Sequence, residues 1–389
     1  MQQLFYFCLK PQGLPAGCHV LGHAYSLSYR FTDGALFGDD RQNFKHSGSN
    51  PRRIALNLLF PGQKIGLHKG QDSCTMLPSD STDPHDMNTS SEPIPPDLFD
   101  RSPAQIWDMA VSIIRRISPS YDFSVMRTAF DDTVSMFQGH YPGYSAIKTL
   151  YHDLQHTLDV FLCAIRLLHG VHLSGAAFDD EAITQLGIAA LMHDIGYAQR
   201  AEEACGTGAQ FTQSHVARGI EFIGHYLGQH KLPEAWLISL APIMRCTSFD
   251  VPINTLQFSD QRSRQIGQIL GSADLVAQMA DRAYLEKLLL LYLEFKEAHF
   301  GNYQSMYDLL HKTRAFYEYT LKKLNSDFDG VYTRLADHFR DFHGLEKNYY
   351  VESINKNLDY LSHVIALDEE NYHSLLKRNG VVERLSSFH

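Results

Sequence analysis

The chain has 389 residues, 44% hydrophobic and 20% charged, with a formal net charge of -10; at roughly 150 residues per domain this suits two or three domains or one large helical unit. No stretch approaches the roughly 20 uninterrupted apolar residues of a membrane span, the apolar run near Met1 has no basic residue ahead of it, and the acidic balance argues against a nucleic-acid polymer as partner. Six cysteines without a C-x-x-C pair indicate neither a disulfide framework nor a zinc finger, so a cytoplasmic chain with no membrane partner is expected.

Nine of the fifteen prolines precede residue 100. Residues 1–77 show short apolar runs without a clear period and are poorly specified. Residues 78–99 are rich in Pro, Ser, Thr, Asp and Asn, which cannot bury enough apolar surface to offset the entropy of ordering, and read as a linker. From residue 100 to 389 the pattern is that of one all-α, compact multi-helix domain. Ser102 and Pro103 have the form of an N-cap and first-turn proline, followed by Ile106, Ala110, Ile113 and Ile117 at helical spacing. Further helices are expected over 122–138, 145–169, 179–194, 213–230, 263–299, 303–325, 328–343 and 349–366. The one short extended candidate lies near Asp250–Phe258.

Twenty-one histidines against 34 Lys plus Arg is an unusual proportion, and their positions are more informative than their number. In the expected helix 145–169, Ile147, Leu150, Leu154, Leu158, Phe161, Ile165 and Leu168 define an apolar stripe, while His152, His156 and Asp159 fall within about 60° of one another on the opposite side. Two imidazoles at i and i+4 can address one ligand, yet the spacing alone also describes two surface histidines. Further on, Asp179 opens an apolar helix that runs into His193-Asp194-Ile195-Gly196. A charged Asp at the end of such a helix is costly unless paired or coordinated, or else it caps the next segment. Asp274 lies in Gly271-Ser272-Ala273-Asp274-Leu275, flanked by small residues that let another group approach.

Taken in order, Tyr151-His152-Asp153-Leu154-Gln155-His156-Thr157-Leu158-Asp159-Val160, then His193-Asp194, then Ala273-Asp274-Leu275 resemble the HD-type metal-dependent phosphohydrolases. The likeness is nearest to the catalytic domain of the class I cyclic nucleotide phosphodiesterases, over most of residues 120–300. The resemblance implies an all-helical fold and two divalent metal ions (Zn, Mn, Mg or Fe). His156, His193, Asp194 and Asp274 would ligate the first, and Asp194 would bridge to the second. It further implies hydrolysis of a small phosphate-bearing nucleotide, a 3′,5′-cyclic nucleotide, with His152 as general acid for the leaving ribose oxygen. Imidazoles and carboxylates suit hard or borderline divalent ions. The chain departs from the family at Ile195-Gly196-Tyr197, where a further histidine followed by Pro-Gly is usual. His215 is a candidate for the second metal or for phosphate, against a structural histidine. The family's base clamp of glutamine and phenylalanine has no assigned counterpart: Gln304 and Tyr307 come too soon after Asp274, and Phe316 lacks the glutamine. Two other readings stay open, an HD phosphohydrolase of another nucleotide or phosphate ester, and a catalytically inactive regulatory module. The oligomeric state is left open.

Overall fold

The computed structural model describes residues 101–385 apart from 204 and 205. The expected appendage at 1–77 and linker at 78–99 lie outside the described residues. Among the described residues there are twelve α-helices and no strand: α1 (Pro103–Ile117), α2 (Ser124–Gln138), α3 (Leu154–Leu173), α4 (Asp180–Met192), α5 (His215–Gln229), α6 (Trp236–Arg245), α7 (Gln261–Ala280), α8 (Tyr284–Glu297), α9 (Met306–Ser326), α10 (Leu335–His343), α11 (Tyr349–Val364) and α12 (Val381–Leu385). The all-α expectation therefore holds.

The first helix forms as its sequence dictates. Ser102 accepts from the Gln105 amide while Gln105 Oε1 takes the Ser102 N–H, a reciprocal cap around Pro103, a device in which the N-cap alone contributes about 1 kcal/mol. Asp179 caps α4 from one side only, accepting from the Ala182 amide at 2.9 Å. The interior is organised on α3, buried on nearly every face from His156 to Val171, as a helix apolar all round must be. It packs against α7, α1, α4 and α10. Gly170 permits one close approach: a Cβ there would lie 2.0 Å from the Arg334 carbonyl oxygen. α4 is equally enclosed, with every residue from Ala182 to Met192 buried.

Several expected boundaries are corrected. The helix expected over 145–169 starts only at Leu154, because the Asp153 carboxylate accepts the His156 amide at 2.8 Å and caps it there. His152 thus precedes the cap and does not share a helical face with His156. The helix expected over 263–299 is two, α7 and α8. Asp281 ends the first, its carboxylate takes the Ala283 amide and an ion pair with Lys287, and Asn357 Nδ2 binds the carbonyls of Met279 and Asp281. The extended candidate at 250–258 is instead loop with a single 3₁₀ turn, Ile253–Thr255. α6 falls between expected helices because Pro242 lies inside it, and proline removes a backbone donor. The expected helix 328–343 is a 3₁₀ turn, Val331–Arg334, running into α10, and the chain continues past 366 to α12.

Candidate metal centre

Four elements deliver the four expected ligands to one place. His156 sits in the first turn of α3, His193 is the C-cap of α4, Asp194 begins the turn that follows, and Asp274 projects from the middle of α7. His156, His193 and Asp274 each offer a donor atom within 4.8 Å of the others. Asp194 Oδ2 joins them at 3.1 Å from His193 Nε2 and 3.3 Å from His156 Nε2. Asp274 Oδ1 lies 3.6 Å from His156 Nε2 and 3.9 Å from His193 Nε2. His156, His193 and Asp194 are buried, and Asp274 is largely so.

The orientation of these groups is one that could serve a shared cation. His193 Nδ1 lies 2.9 Å from the Ala190 carbonyl oxygen, which can only accept, so Nδ1 carries a proton and Nε2 is the nitrogen turned to the cluster. That nitrogen faces His156 Nε2 at 3.4 Å. Asp194 Oδ2 is buried without a hydrogen bond despite its two close nitrogens. A buried carboxylate oxygen without a well-directed hydrogen bond is costly, and a cation between these atoms would offset that cost. Two donors each about 2.0–2.2 Å from a shared divalent ion stand at most about 4.4 Å apart, a limit that all five of the quoted separations meet. Two imidazoles and two carboxylates fit a divalent ion of hard or borderline character.

The charges respond to one another accordingly. Burial works against ionisation of Asp194, but His193 and His152 outweigh it and hold its carboxyl well below the usual range. Burial lifts Asp274, with His193 and His156 offsetting only part. Burial also opposes a charge on His193, and the adjacent Asp194 carboxylate outweighs it, raising the ring to about 9.

His152 lies beside this set but is held differently. Its Nδ1 is 2.6 Å from Glu294 Oε2, and the other oxygen of Glu294 accepts the backbone amides of Tyr151 and His152. Burial resists protonation of His152, and Glu294 with Asp194 overcomes it, lifting its pKa to about 9. The Tyr151 hydroxyl donates to Gln278 on α7, which fixes the same loop from the other side. Sequence reasoning did not find Glu294. Its signal was present: a carboxylate one turn beyond Leu290 on the buried face of α8, where an apolar residue would continue the stripe.

Tyr197, the residue at the departure from the family pattern, touches two imidazoles that are themselves neighbours. Its ring stacks on His215 at 4.6 Å and 9° and on His152 at 4.9 Å and 25°. His215 approaches Asp194 Oδ1 to 3.6 Å, and burial lowers its pKa, only partly countered by Asp194. Gly196 makes this possible, since a Cβ there would lie 1.9 Å from the His215 carbonyl oxygen. Arg218 fastens the same turn, donating to the carbonyls of Gly196 and Ala198 and to both oxygens of Glu203. Asp159 is not part of the centre; it accepts from Gln155 and faces Asp281 and Lys287. Phe316 stacks on Phe249 at 4.9 Å.

A family model described as Npun_R2479-like matches residues 199–328, a segment that takes in His215, Asp274 and Glu294 but neither His156 nor the His193–Asp194 pair. No curated protein and no solved structure matches the chain.

Proposed function

We propose that the chain is a metal-dependent phosphodiesterase that opens a 3′,5′-cyclic nucleotide to its 5′-monophosphate. The observation that carries this reading is a buried set of two histidines and two aspartates with a separately held imidazole, His152, beside it. Two divalent ions, the first held by His156, His193, Asp194 and Asp274, would supply a water of lowered pKa and neutralise phosphate charge.

The chain's own residues supply the rest. Cleavage of the bond between phosphorus and the 3′ oxygen leaves a ribose alkoxide, a poor leaving group until protonated. Glu294 occupies Nδ1 of His152, so Nε2 is the nitrogen free to give that proton. Glu294 also accepts the amides of Tyr151 and His152, just ahead of the ring's attachment, so it fixes the position of the donor as well as its charge. Tyr197 stacks on the ring of His152 and restricts its orientation. Asp194 and Asp274 come from a turn and a helix middle that other contacts already fix, which limits reorganisation during the reaction.

A second reading, hydrolysis of another nucleotide or phosphate ester, is favoured by two observations. Tyr197 occupies the position of the family's further histidine, and Phe316 is stacked on Phe249. The two separate on a substrate panel with added Mn²⁺ or Mg²⁺. Release of 5′-monophosphate from cyclic AMP or cyclic GMP supports the first; intact cyclic nucleotides alongside phosphate release from linear ones support the second. An inactive regulatory module is the third reading, and protein that neither contains nor acquires a divalent ion would support it against both.

A further inference from the structure

The two carboxylate oxygens of Asp194 face different neighbours. Oδ2 is turned to His193 and His156, at 3.1 and 3.3 Å. Oδ1 is turned to His215 Nε2, at 3.6 Å. The His215 ring is fixed twice over. Nδ1 lies 2.7 Å from the Thr212 carbonyl oxygen, an acceptor, so the proton of the neutral ring is on Nδ1; and the ring lies flat against Tyr197. Nε2 therefore directs a lone pair toward a carboxylate oxygen across a gap longer than a hydrogen bond. The carboxylate is 4% exposed and the imidazole 19%, so water screens this opposition of two electron-rich atoms poorly. A cation close to both relieves it, and their separation falls within the span of about 4.4 Å open to two ligands of one divalent ion.

We propose that His215 Nε2 and Asp194 Oδ1 are the protein half of a second divalent-cation site, sharing Asp194 with the ion held by His156, His193 and Asp274. This rests on the metal-centre reading above and adds to it a protein ligand on the second ion. With one imidazole and one shared carboxylate, the site takes a hard or borderline ion such as Mn²⁺ or Mg²⁺, and it binds that ion more weakly than the four-ligand site does. The remaining positions are open to oxygen ligands, which a phosphate ester offers. Tyr197 sets the spacing: the His215 and His152 rings are 6.3 Å apart with the tyrosine stacked on both, so the second ion and the proton donor address the same region. Gly196 belongs to the site as well, because the first turn of α5 reaches Asp194 only across a residue without a Cβ.

The test uses full-length protein stripped of metal and titrated with Mn²⁺, with stoichiometry read by elemental analysis and affinity by calorimetry. The expected result is two ions on the wild type, one tight and one weaker. His215→Ala should keep the tight ion unchanged and weaken the second by at least about 100-fold, more than loss of an outer contact usually costs. His215→Cys loaded with Co²⁺ should gain a thiolate-to-cobalt absorption that the wild type lacks, which reports direct ligation even where the alanine variant folds poorly. Two ions retained on His215→Ala at wild-type affinity, or a fully Co²⁺-loaded cysteine variant without that absorption, overturns the proposal and leaves the first site standing. A wild type that binds a single ion does the same. A wild type that binds no ion overturns the whole centre, and this site with it.

Discussion

Asp194 is the carboxylate that approaches His156, His193 and His215 together, so its removal separates metal binding from the rest of the fold. Asp194→Ala should lose both activity and retained divalent metal, read by elemental analysis of protein purified without chelator. His152→Ala should lower turnover by about 10²–10⁴ while keeping the tight ion; loss of that ion would mean that His152 is a ligand. Glu294→Gln tests positioning. The carboxylate supplies the largest of the opposing effects that lift His152 to about 9 against burial, so its loss should lower kcat and move the alkaline limb of the rate profile toward neutrality, with metal content unchanged. The remaining histidines are not all functional. His169 and His338 meet through their Nδ1 atoms at 3.1 Å deep in the fold, and burial keeps both neutral. Histidine count was a weak signal for that reason: the same ring fills a core position and holds a proton or an ion.

At the scale of the element, apolar periodicity located helix interiors, and interactions between distant residues set several of their ends. Asp153 is a good local cap and could have been read as one, which would have moved His152 off α3. The break between α7 and α8 was less legible, because it depends on Asn357, far along the chain, taking the carbonyls of Met279 and Asp281. Pro242 concealed α6 for the opposite reason, a local rule overridden by packing of Leu240, Ile243 and Met244 into the core. The four clustered side chains were nonetheless legible, because their order and spacing do not depend on where a helix starts. Glu294 was not, since no spacing links it to His152 before the chain folds. The junction of α3, α7 and α8 makes a testable case. Burial, with Asp281, raises Asp159 from 3.8 to about 7. Asp159 therefore holds its proton more tightly in the folded chain: its contribution to stability is complete below pH 3.8 and is lost as pH rises through 7. Asp159→Asn should flatten that decline and stabilise the protein at pH 8 by on the order of 1–4 kcal/mol, measured by denaturant unfolding across pH; an unchanged slope would show that the carboxyl is hydrated and unshifted.

For the whole molecule, the centre joins elements from three distant parts of the described chain: α3, the end of α4 and α7. An ion that binds the folded chain alone adds stability by mass action, about 4 kcal/mol at a thousandfold excess over Kd. Chelation should therefore lower Tm by roughly 5 °C or more, and Mn²⁺ should restore it. No helix among the described residues is long and apolar enough to cross a membrane. The net charge of -10 is consistent with a protein that meets phosphate through bound cations and not through a basic surface. The most direct measurement is product analysis of cyclic AMP and cyclic GMP incubated with the full chain and Mn²⁺, before and after chelation. The proposed activity requires 5′-monophosphate that disappears on chelation and returns with the ion. Cyclic nucleotides left intact by protein that carries its divalent metal would contradict it.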